Sequence, residues 1–82
     1  MTYRLYNSWT IEEAKNIGAV FQAVCLNPRG YEGDLTLGKE YTLTVTPRIL
    51  PTTPLCSTVG DSGRVIGCHL ERFEKKGDQL PD

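Results

Sequence analysis

From Glu40 to Thr46 the chain alternates without a break, with Tyr41, Leu43 and Val45 standing between Glu40, Thr42, Thr44 and Thr46. A period of two places the three apolar side chains on one face and the polar ones on the other, and tyrosine, valine and threonine favour extended backbone. The segment predicts a half-buried strand. Ala19 to Leu26 is nearly all apolar instead: Phe21, Ala23 and Cys25 point one way, and Val20, Val24 and Leu26 the other. Such a strand needs cover on both faces, with the core under one and a second element over the other.

That second element is predicted just upstream. Thr10 can accept the amide hydrogen of Glu13 while the Glu13 carboxylate reaches back, a capping box, and Trp9 before it can staple onto Ala14. Ile11, Ala14 and Ile17 repeat on one face, and Gly18 can take the left-handed conformation that stops a helix. A helix of about two turns is too short to stand alone, so it is expected to lie with Trp9 over the Val20/Val24 face.

The rest reads as short strands and turns. Tyr3 to Tyr6 predicts an edge strand. Asn27 to Asp34 forms a turn-rich loop, and Gly38-Lys39 a tight turn. Pro47, Pro51 and Pro54 make the following stretch an extended loop or irregular edge. Leu55 to Val59 and Arg64 to Leu70 predict two strands joined by Gly60-Asp61-Ser62-Gly63, and the residues after Phe73 a solvated tail.

With 82 residues, the chain has the length of one small domain and no spare length for a second core. Nine basic residues against ten acidic ones supply no field to draw it onto nucleic acid or an anionic membrane. Cys25, Cys56 and Cys68 are an odd number without a framework spacing. They predict buried thiols in a reducing compartment and a cytoplasmic protein.

No catalytic constellation emerges. Gly60-Asp61-Ser62-Gly63 is similar to the nucleophile loop of trypsin-like serine proteases and His69 follows, yet a hairpin turn accounts for the four residues, whereas a triad needs a far larger scaffold. Zinc is not expected, because no Cys-x-x-Cys knuckle exists and Cys68 and His69, neighbours on a strand, face opposite ways. The carboxylates, Asp34 among them, are expected in solvated positions at caps, turns and strand exteriors. No cofactor is predicted.

In order, Ala23-Val24-Cys25-Leu26-Asn27, Gly30-Tyr31-Glu32, Leu35-Thr36-Leu37-Gly38-Lys39-Glu40-Tyr41, Gly60-Asp61-Ser62-Gly63 and Arg72-Phe73-Glu74 resemble a family of very small proteins common in bacteriophages and mobile elements. Their pattern is a valine-x-cysteine strand, a Gly-Tyr loop, L-T-x-G-K-x-Y, an Asp-Gly turn and a closing R-F-E. The match spans residues 23–74, with 1–22 as an addition carrying the helix and 75–82 as a polar tail. The chain departs from the pattern in its proline loop 47–54 and at Cys68-His69, where an aromatic is commoner. The resemblance implies a mainly β fold, a small SH3-like antiparallel barrel of about five strands with one short N-terminal helix. It implies no activity and no functional residues.

Arginine and aromatic side chains most often anchor interfaces, and Tyr6, Trp9, Arg29, Tyr31 and Arg48 are the candidates here. The expected function is non-catalytic protein binding, with the partner a host or defence protein that a phage-encoded inhibitor of anti-CRISPR-like kind would block in the bacterial cytoplasm. Alternatives are a single-strand nucleic-acid barrel using Tyr31, Tyr41, Lys39 and Arg48, and sequestration of a small nucleotide.

Overall fold

The computed structural model describes residues 9–47, 55–77, 79 and 80. The expected strand at Tyr3–Tyr6, most of the proline loop, and the candidates Tyr6 and Arg48 lie outside the described residues.

The elements are helix α1 (Ile11–Lys15), strands β1 (Val20–Cys25), β2 (Glu40–Thr46), β3 (Leu55–Val59) and β4 (Val65–His69), a 3-10 turn (Leu70–Arg72) and strand β5 (Phe73–Lys75). The strands form one antiparallel sheet in the order β4-β3-β2-β1-β5. Consecutive strands from β1 to β4 are neighbours, and β5 returns to pair with β1, setting Phe73 opposite Cys25. Among the described residues no ladder joins β5 to β4, so the hydrogen-bonded sheet is not closed into the expected barrel. Among the described residues no helix is long and apolar enough to cross a membrane.

The alternation in β2 emerges as read, with Tyr41, Leu43 and Val45 buried. They join Phe21, Ala23 and Cys25 of β1, Cys56 of β3, Ile66 and Cys68 of β4, Leu70 and Phe73 in one core. Leu35, from the loop between β1 and β2, fills the same core. Beyond the three thiols' burial, Cys56 and Cys68 face one another across β3 and β4, and the Cys56 thiol donates to the Cys68 carbonyl at 3.5 Å. The neighbouring Cys68 side chain and burial both push the Cys56 thiol upward in pKa, which keeps it protonated.

Two expectations about the N-terminal segment are corrected. The capping box forms as read, with Glu13 N donating to Thr10 Oγ1 and Thr10 N to Glu13 Oε1. The helix stops at Lys15, however, so Ile17 falls outside its phase and is 59% exposed instead of lying on the buried face. Trp9 is the second correction. It packs on Phe21, centroids 5.2 Å apart and nearly perpendicular, so it covers the core side of β1 and not the Val20/Val24 face. Its Nε1 donates to the Phe73 carbonyl at 2.9 Å, giving a buried indole N–H its required partner. Lys75 of β5 meets Glu13 from the other side.

The end of the chain also differs from a free tail. Phe73–Lys75 is a strand, and beyond it Lys76 N donates to Gln22 O and Leu80 N to Val20 O, each at 2.8 Å. These residues run along the otherwise open side of β1.

Candidate functional site

The functional question centres on the 26–39 loop, because side chains of the Gly60–Arg64 turn, of β2 and of the 3-10 turn all bond there. The Gly60–Arg64 turn between β3 and β4 holds its middle. Gly60 N donates to Arg64 O at 2.8 Å and Gly63, at φ +86°, permits the reversal. Into this turn comes Asp34, buried rather than solvated. Its Oδ2 accepts from Arg64 Nη2 at 2.6 Å, its Oδ1 from the Ser62 hydroxyl, and its carbonyl from Asp61 N at 2.7 Å. Those bonds hold the Asp34 carboxyl below the usual carboxylate range. Gly60 is required by proximity: a Cβ there would lie 2.6 Å from the Asp34 Cβ.

Asp61 gathers the loop's far end. Oδ1 accepts from Lys39 Nζ at 2.6 Å and the Tyr41 hydroxyl at 2.9 Å, and Oδ2 from the Thr36 hydroxyl at 2.6 Å. Thr36 N in turn donates to the Tyr41 hydroxyl oxygen at 2.7 Å. The Lys39 and Thr36 bonds, with a smaller contribution from Tyr41, draw the Asp61 pKa down to about 2. Thus the Thr, Lys and Tyr of L-T-x-G-K-x-Y are spaced to bring three donors to one carboxylate in the distant Gly-Asp turn.

Arg72 secures the near end. Its carbonyl accepts from Leu26 N at 2.7 Å and Asn27 N at 3.2 Å, and its Nη1 donates to the carbonyls of Asn27 at 2.9 Å and Arg29 at 2.7 Å. The guanidinium lies 4.7 Å from the Tyr31 ring centre, and the Tyr31 hydroxyl continues to Gly67 O at 3.1 Å on β4. The Gly-Tyr and R-F-E motifs are therefore two halves of one clasp.

The residues singled out in the sequence are dispersed by this arrangement. Trp9 is fully buried and offers a partner no surface. Tyr31 is half-buried in the clasp. Arg29 is exposed at the loop's turn, with its backbone bonded and no hydrogen bond or ion pair from its guanidinium among the described residues. The loop also exposes Leu26 and Leu37. Sequence reading missed Asp34, Asp61 and Lys39 as a network, because the bonds that tie them in reach more than 20 positions along the chain.

The geometry bears on the chemical alternatives. The Ser62 hydroxyl donates its hydrogen bond to Asp34, while His69 stands on the outer face of β4 with Nδ1 3.7 Å from Glu71 Oε1. Among the described residues no three His, Cys, Asp or Glu side chains converge as metal ligands. Tyr41 is buried with its hydroxyl committed to Asp61, and one face of Tyr31 is taken by Arg72, so among the described residues Tyr31 and Tyr41 do not form a base-stacking strip of open rings. An open cleft of about 400 Å³ lies between β2 and β3, where pairing stops at Thr44–Ser57, and is lined by Lys39, Thr42, Thr58, Val59 and Asp61 among others. Its lysine is already neutralised by Asp61, leaving a phosphate little to bind. Set against family models, curated proteins and solved structures, the chain matches none.

Proposed function

We propose that the protein is a non-catalytic binding module with an SH3-like barrel plan, and that it meets a protein partner with the outer side of the 26–39 loop, centred on Arg29. The strand order, the 3-10 turn before the last strand and a single core fed by all five strands support the barrel reading. The observation that carries the binding reading is the division of labour in the loop. Its polar side chains are spent inward on Asp61, Asp34 and the Arg72 clasp, which fixes the backbone, while Arg29, Leu26 and Leu37 are held outward. A loop ordered before it meets its partner avoids an entropy cost on binding, and an exposed arginine on such a loop is the chemistry of an interface anchor. The resemblance to phage proteins directs the search toward a host or defence protein that the module would block.

Affinity purification from bacterial lysate, with and without nuclease, compares the wild type with Arg29→Glu and Leu37→Asp. The expected result is a stoichiometric, nuclease-resistant protein that both substitutions release. Retention indifferent to both substitutions, or no protein at all, overturns the assignment of this surface, and loss on nuclease treatment alone transfers it to nucleic acid.

A further inference from the structure

Cys56 and Cys68 stand directly opposite one another on β3 and β4, and both side chains are buried in the core. The phase of the ladder fixes the kind of pair they make. Gly60 N bonds to Arg64 O, so the alternate pairs of the same ladder, Thr58–Ile66 and Cys56–Cys68, are the ones that exchange backbone hydrogen bonds. The Cα atoms of such a pair lie about 5.5 Å apart, inside the range of about 4.4–6.8 Å that a disulfide spans. The side chains converge as well: the Cys56 thiol reaches the Cys68 carbonyl at 3.5 Å and bears directly on the Cys68 thiol. Cys25, the third thiol, lies opposite Phe73 on β1, a strand whose ladder neighbours are β2 and β5.

We propose that Cys56 and Cys68 are a reversible disulfide pair, closed by hydrogen peroxide and reopened by a small thiol. Cys68 is the attacking sulfur, because the Cys56 side chain, which can donate to its thiolate, and the nearby Arg72 lower its pKa against the effect of burial. Its thiolate attacks the peroxide: a sulfur–oxygen bond forms, the oxygen–oxygen bond breaks, and the departing hydroxide takes up the thiol's proton as water. The Cys56 sulfur then attacks the Cys68 sulfenic sulfur, so the sulfur–sulfur bond forms, the sulfur–oxygen bond breaks, and the Cys56 proton leaves with the second water. Two thiols are oxidised and one peroxide is reduced to two waters. Two molecules of a small thiol reverse the step and leave as their own disulfide. Among the described strands β4 is laddered to β3 alone, so a local parting of that one ladder admits the oxidant to both sulfurs. The closed bond ties together the β3–β4 hairpin, whose turn holds Asp34 through Arg64 and Thr36 through Asp61. Oxidation therefore stiffens the anchor of the 26–39 loop.

Hydrogen peroxide added to the wild type, folded and in urea, tests this once the remaining thiols are blocked and the tryptic peptides are mapped by mass spectrometry. Trypsin cuts after Arg64, between the two cysteines, so the bond is read as two joined peptides. In the folded protein the expected product is a single chain lighter by two hydrogens, with Cys56 joined to Cys68, Cys25 still a free thiol, and full reversal by dithiothreitol. In urea mixed pairings are expected. Cys25→Ser is expected to form the same bond when folded, and Cys68→Ser none. A folded wild type that stays reduced at peroxide doses that cross-link it in urea, that pairs Cys25, that joins chains together, that goes to sulfinic acid without a bond, or that favours Cys56–Cys68 no more than the urea sample overturns the proposal. Because those results come from the wild type, they stand even if a variant fails to fold. The oxidised protein is expected to have a higher urea midpoint than the reduced one, and an equal or lower midpoint overturns the stiffening of the hairpin.

Discussion

Asp61 and Gly60 are neighbours in one turn, and each is held to its identity by a different force. Asp61 accepts from three side chains of the 34–41 segment, so its charge organises a loop reached across 25 residues of chain. A carboxylate whose folded pKa is depressed contributes stability that is fully present above its unfolded pKa and is lost as pH falls through the folded one. With 3.8 as the ordinary value and about 2 in the fold, the urea midpoint is expected to hold level down to about pH 4 and to decline toward about pH 2. Asp34 and Glu13 are also lowered and act in the same direction; Glu13 is raised by burial, but its bonds to Lys75 and Thr10 outweigh that effect. Asp61→Asn is expected to lower the midpoint at neutral pH and flatten the acid decline. Gly60 is constrained by space instead. Gly60→Ala drives a methyl against Asp34 and is expected to cost about 1–3 kcal/mol in urea unfolding. Gly67→Ala, which meets only the Cys56 carbonyl at 3.9 Å, should stay within about 0.5 kcal/mol.

At the scale of elements, α1 shows how little of a five-residue helix is its own. The capping box satisfies its first donors, but one turn is far below the length at which a helix is stable in water. Its position comes from the Trp9–Phe73 hydrogen bond, the Trp9–Phe21 ring contact and the Glu13–Lys75 pair. Thr10→Ala is therefore expected to cost about 1 kcal/mol. Trp9→Ala, which empties a core site and removes the indole hydrogen bond to the Phe73 carbonyl, is expected to cost about 3–5 kcal/mol in urea unfolding. Trp9 is the chain's one tryptophan and is buried, so its emission should shift to longer wavelength on unfolding. For the wild type and Thr10→Ala, coincidence of that transition with far-ultraviolet dichroism checks that the N-terminal segment unfolds with the sheet, as its contacts with β1 and β5 require.

For the whole molecule, the open sheet and the pinned loop belong to one arrangement. The β3–β4 turn and the 3-10 turn grip the 26–39 loop from opposite ends, and the Tyr31 end of that grip reaches β4 itself. Cutting the clasp with Arg72→Ala is therefore expected to raise amide exchange across residues 26–33 more than tenfold while leaving β2 protected. The sequence by itself determined β2, the Thr10 cap and the turn at Gly60–Gly63, because side-chain periodicity, a cap bond and glycine's backbone freedom act over a few residues. Only the tertiary structure decided that Trp9 faces the core, that Ile17 is exposed, that Phe73–Lys75 is a strand, and that Asp34 is buried and bonded to Ser62 and Arg64. Each of these outcomes rests on partners distant in sequence, as with the 64 positions between Trp9 and Phe73, and only close packing and the need to satisfy buried polar groups select such partners.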